Sequence, residues 1–113
     1  MDVTDETELP FPNPWNPITS PIDLKHLGKF SEELSEAGAA TARCIIQGID
    51  EREPETGKLN REWLEDEIAD VMANVELVSR HFGLDRRRME ERAARKFTYL
   101  RVWHSMLEPK QGA

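Results

Sequence analysis

A chain of 113 residues, 38% hydrophobic and 33% charged, has room for one domain and one buried core, and its composition is that of a globular rather than a disordered protein. Its net charge of −7 works against binding a polyanion such as nucleic acid, and no apolar run approaches the roughly 18 residues that cross a bilayer. The acidic, proline-rich start lacks the basic and apolar regions of a signal peptide, so the expected location is the cytoplasm. A lone cysteine, Cys44, excludes a disulfide framework and a CxxC metal knuckle.

Residues 1–19 hold Pro10, Pro12, Pro14 and Pro17 with Phe11 and Trp15, and read as an extended arm that packs on something else. The helical domain, 20–108, opens at Ser20, an N-cap followed by Pro21 at the first helical position and Asp23 at the third. Leu27, Phe30, Leu34, Ala37, Thr41, Cys44 and Gly48 recur at alternating steps of three and four, which predicts a helix from Pro21 to about Gln47. The segment 48–60 is a loop, with Asn60 placed to cap the next helix. Leu64, Ile68, Val71, Val75, Val78 and Phe82 repeat the same alternation and predict a second helix stopped by Gly83. Asp85 then caps a third, with Leu84 and Met89 at staple spacing and an apolar set of Met89, Ala93, Phe97, Leu100 and Leu107. Residues 109–113 are a tail. No strand pattern emerges. The expected fold is all-α: an antiparallel helical hairpin plus a third helix, completing a four-helix-bundle-type core by oligomerisation.

Two acidic doublets share a three-residue step: Glu33 and Glu36 on the first helix, Glu67 and Asp70 on the second. That step sets both carboxylates of a doublet on one helix face. With Leu27 and Ile68 at heptad position a, the two doublets share one register, and antiparallel pairing brings them to one side of the hairpin. Four converging carboxylates suit a hard cation such as Mg2+, which takes oxygen ligands and works in catalysis on phosphates. Counted from the loop, the first doublet lies several residues farther out than the second. The third helix is the basic one: Asp85 to Arg101 holds seven basic residues against three acidic, a net +4, leaving −11 on the rest.

Glu32, Glu33 and Glu36, followed after 30 residues by Glu67 and Asp70 with a basic helix behind, resemble the EExxE and ExxD signature of the MazG-like, all-alpha nucleoside triphosphate pyrophosphohydrolases. The similarity covers about residues 21–101. It implies an all-helical homodimer or dimer of dimers that uses Mg2+, with Mn2+ as a substitute, to cleave nucleoside triphosphates to monophosphate and pyrophosphate. By that resemblance Glu33, Glu36, Glu67 and Asp70 are the metal ligands. A carboxylate near the attacking water acts as base, with Glu32 and Glu36 both placed for it. Asn74, one turn past Asp70, and Arg92, Lys96, Tyr99 and Arg101 on the third helix are the substrate-binding candidates. The gap between the doublets is longer than in shorter members, and no asparagine lies between Lys96 and Arg101 where many members have one. His26, His81 and His104 show no metal-ligand spacing and read as structural or surface residues; Trp15, Trp63 and Trp103 are packing residues, any of which could stack on a base. No phosphate loop, dinucleotide fingerprint or GxSxG elbow is present. The alternative from another class is a non-catalytic helical nucleotide-binding or interaction module.

Overall fold

Ser20 starts the helical body as its side chain dictates: the hydroxyl accepts from the Asp23 backbone N–H at 3.3 Å, and Pro21 follows where a missing N–H costs nothing. A computed structural model describes residues 12–108, and in it three helices follow one another: α1, Pro21–Gln47; α2, Asn60–Phe82; α3, Arg86–Leu107. The described residues contain no strand beyond one isolated bridge between Arg52 and Leu59. Residues 12–19 adopt no regular structure, and Trp15 is 78% exposed rather than packed; Pro10, Phe11 and the tail lie outside the described residues.

α1 and α2 form the expected antiparallel hairpin, and their pairing corrects the heptad seam. The residues of α1 turned to α2 are Phe30, Glu33, Ala37, Ala40 and Cys44, with Glu33 and Ala40 buried. Leu34 and Ile68, expected inside, are 49% and 48% exposed, and Glu33 and Glu67 take their places. At about 100° per residue, Leu27, Leu34 and Ile45 fall on one flank of the α1 seam, and Lys29, Glu32, Glu36 and Arg43 on the other. On α2, Ile68 and Met72 take one flank, Trp63, Asp66 and Asp70 the opposite one. Antiparallel pairing sets like flanks together, so the hairpin has an apolar side and a charged side.

The loop resolves the offset between the doublets and corrects the role of Asn60. Leu59, not Asn60, is the N-cap residue of α2, and it makes no side-chain cap. Asn60 is instead 1% exposed, its Nδ2 donating to the Gly48 carbonyl at 3.0 Å and to Gln47 Oε1 at 3.1 Å. Its own carbonyl lies 3.7 Å from the Cys44 thiol. The Gly48 carbonyl at the end of α1 and the Gln47 side chain therefore capture this side chain before it can serve its own helix. As a result α2 begins level with Cys44, about one turn before α1 ends, and the two doublets come to the same height. Residues 53–58 form a small turn beyond the bridge, held by Glu53 N–H donating to the Lys58 carbonyl and Gly57 N–H to the Glu53 carbonyl, both at 2.8 Å, with Gly57 at φ 75°.

Gly83, at φ 62°, ends α2 in the left-handed conformation, and Asp85 caps α3 by accepting from Arg88 N–H at 3.0 Å. Only the start of α3 engages the hairpin: Arg86 pairs with Glu76 at 2.5 Å, and Met89 lines a groove with Val75 and Ser79. No residue of α3 is buried. The radius of gyration is 20.9 Å, against about 13 Å for a compact chain of this size, and the longest dimension is 67 Å. Arg86, then Arg80, hold the Glu76 carboxyl below its usual range. A lowered folded value stabilises above the ordinary carboxylate range and is lost as pH falls through the folded one. Acidification is therefore expected to lower the amide protection factors in the first turns of α3, and Glu76→Gln should make those protection factors less dependent on pH.

Candidate metal centre

Each doublet sits on a continuous helix, so its carboxylates keep their spacing, and the Asn60 anchor sets one helix against the other. Glu33, Glu67 and Asp70 each offer an oxygen, and the three lie within 4.8 Å of one another. Glu33 is 6% exposed, Glu67 half-buried and Asp70 exposed, so the group runs from the hairpin interior to its surface. Glu33 Oε1 accepts from Lys29 Nζ at 3.0 Å. Glu33 Oε2 and Glu67 Oε2 are buried with no donor among the described residues. A buried acceptor left unmet costs about 1–3 kcal/mol, and two of them belong to carboxylates of this trio. A cation with oxygen preference would meet both.

Glu36 stands outside this trio but feels it. The charge on Glu33 raises its carboxyl above the usual range, helped by burial and by Glu67 and Glu32, while Lys29 opposes the shift. Glu32 is exposed and lies 3.5 Å from Lys29 Nζ. Lys29 is thus the one described cation paired with the first doublet, and its hydrogen bond to Glu33 does most to raise its own value. Three carboxylates around one ammonium leave the site electronegative.

The remaining candidates are placed less closely. Asn74 is half-buried one turn past Asp70, but its Nδ2 donates to the Asp70 backbone carbonyl at 2.9 Å rather than into the trio. Arg92, Lys96, Tyr99 and Arg101 ride on α3; Arg92, Lys96 and Tyr99 line one groove there, while Arg101 lies 5.9 Å from the Phe97 ring. No described hydrogen bond or ion pair joins these four to α1 or α2, so within one chain the structure does not bring them to the carboxylates.

One cluster escaped the sequence reading. Trp63, on the charged side of α2, has Lys58 Nζ at 4.4 Å and the Arg43 guanidinium at 5.5 Å from its ring centroid, and its indole N–H is buried without an acceptor. Arg43 and Lys58 lie fifteen residues apart on different elements, and only the fold brings them together; the signal available was Trp63 standing one turn before Glu67. Set beside known proteins, the chain matches no family model, no curated protein and no solved structure.

Proposed function

We propose that the chain is a Mg2+-dependent nucleoside triphosphate pyrophosphohydrolase that releases monophosphate and pyrophosphate. The observation that carries this reading is the buried Glu33, which keeps an unpartnered oxygen and groups with Glu67 and Asp70. The three oxygens are of the donor type that Mg2+ prefers, and Mn2+ accepts the same set. Bound there, the ion would orient the phosphate chain, neutralise its developing charge and acidify a water. Glu33, Glu67 and Asp70 would hold the cation; Glu36, its carboxyl raised by the charge on Glu33 and by its other acidic neighbours, is one candidate base to take the water's proton. Glu32 remains the second candidate. The resemblance to the MazG-like enzymes supports the same chemistry.

Purified protein given Mg2+ and a panel of ribo- and deoxynucleoside triphosphates is expected to release pyrophosphate, and to stop when the metal is chelated. Release of orthophosphate alone, or of nothing, would overturn the reading. Nucleic acid and membrane play no part in it, and none of the described helices is long and apolar enough to cross a membrane.

We also propose a homodimer or dimer of dimers. The support is the apolar side of the hairpin and the apolar set of α3, where Phe97 and Trp103 are 63% and 58% exposed. A second copy would close a four-helix core over them. The rival reading, a non-catalytic helical interaction module, is favoured by the same exposed surface; metal binding without pyrophosphate release would select it.

A further inference from the structure

We infer that a cationic stripe on α3, formed by Arg88, Arg92, Arg95 and Lys96, is the docking surface for the acidic residues 1–11 of the same chain; the inference stands whether or not the chain turns over a nucleotide. At about 100° per residue Arg88, Arg92, Arg95 and Tyr99 share one stripe with Lys96 at its edge, centred more than a quarter turn from the apolar set of Ala93, Phe97 and Leu100. Two grooves follow the stripe. In one, of about 410 Å3, Leu84 and Met89 meet Arg88, Arg92 and Arg95; in the next, of about 140 Å3, Arg92, Arg95 and Lys96 meet Tyr99. The four cations are exposed, and none has a carboxylate partner among the described residues. Two carboxylates stand near, and both are engaged: Asp85 caps the helix through Arg88 N–H, and Glu91 pairs with Arg87 at 3.3 Å. Like charges at helical spacing repel, so a stripe of four is stabilised by an anionic cover.

Residues 1–11 lie outside the described residues, but their sequence matches the stripe in charge and in order. They carry four carboxylates, Asp2, Asp5, Glu6 and Glu8, with no cationic side chain, followed by Leu9 and Phe11. Their tether starts beside the groove: α1 begins level with the end of α2, where His81 Nε2 lies 2.6 Å from Asp23, and Leu84 follows His81 by three residues. Residues 12–19 can span about 26–29 Å, more than the roughly 17 Å from Arg88 to Tyr99 along α3. Counted back from Ser20, Phe11 and Leu9 come first, to meet Leu84 and Met89 at the start of the helix, and the carboxylates come next, to meet the arginines farther along. A short tether holds the segment at an effective concentration on the order of millimolar, so ion pairs that are weak one by one suffice. The proposed second copy covers Ala93, Phe97 and Leu100 and leaves the stripe outside. Docked there, the segment offsets four like charges and closes both grooves to other anions.

Two measurements on the full chain test this. In the wild type, a carbodiimide, which joins a carboxylate to an amine in contact, is expected to link Lys96 to Asp5, Glu6 or Glu8. A mixture of heavy-isotope and ordinary chains should show that link within chains. A nitroxide on Thr4→Cys, with Cys44→Ala to leave one thiol, should broaden the amide signals of Arg88 to Tyr99 and spare those of residues 53–58. Arg88→Glu, Arg92→Glu and Arg95→Glu together are expected to weaken docking by about fivefold or more. Salt at about 1 M should weaken it likewise, because screening then acts over about 3 Å. Adding Asp5→Lys, Glu6→Lys and Glu8→Lys to the reversed stripe should restore the broadening. Absence of both the link and the broadening, or broadening that ignores the charge reversal, overturns the inference. Links found only between chains also overturn it and assign the stripe to a second copy.

Discussion

Glu33→Gln and Asp70→Asn are each expected to lower Mg2+-dependent pyrophosphate release by roughly 10²–10³-fold, the rate equivalent of the several kcal/mol of charge stabilisation that a bound ion supplies. The amide keeps the volume and one oxygen of the carboxylate but not the charge that holds the cation. Helicity by circular dichroism should not change, because neither side chain makes a hydrogen bond on which a helix depends. Without metal the Glu33→Gln variant is expected to melt higher than wild type, since one of three clustered carboxylates loses its charge and its amide N–H can serve the unmet oxygen of Glu67. Adding Mg2+ should then raise the melting temperature of the wild type and barely move that of the variant. Full turnover in both variants would remove these residues from the site.

Leu100→Asp on α3 is expected to break the assembly. Light scattering on the wild type should give twice or four times the chain mass at micromolar concentration, and on the variant the mass of one chain. Burying a leucine contributes roughly 1.5–3 kcal/mol, and a twofold interface counts it twice, so the loss is at least about a hundredfold in dissociation constant before the cost of a buried charge is added. Leu100 is 47% exposed in the single chain and contacts neither doublet, so metal binding by the hairpin should outlast the loss of the partner. A wild-type protein that scatters as a monomer would overturn the proposed assembly at once.

The limits of the helices were legible because their signals are local. Ser20, Pro21 and Gly48 bracket α1, Gly83 ends α2 and Asp85 starts α3, each acting through its own backbone preference. Which face each helix buries was legible only in part. The heptad stripe includes Phe30, Ala37, Cys44 and Val78, which do turn inward, but it also runs through Leu34 and Ile68, which lie on the flank left open. The seam between the helices runs one residue aside, through Glu33 and Glu67. A period cannot distinguish the surface one helix offers its neighbour in the chain from a surface it leaves outside. The acidic doublets could be found from spacing alone, since i and i+3 share a face on any helix. The grouping of Arg43 and Lys58 around Trp63 could not, because it depends on how the loop returns.

Asn60 also separates two properties that a simple hairpin would tie together. By anchoring the start of α2 to the Gly48 carbonyl and the Gln47 side chain at the end of α1, it makes the relative height of the two helices independent of the chain between them. The turn at 53–58 hangs beyond that anchor and the Arg52–Leu59 bridge, and so can lengthen or shorten without sliding one acidic doublet past the other. A slip of a single helical turn, by contrast, would carry Glu67 and Asp70 about 5.4 Å away from Glu33, farther than the span of the carboxylate trio. One amide at the mouth of the hairpin thus acts as the gauge block for the metal centre, and the long insertion between the doublets is free to vary in length and composition.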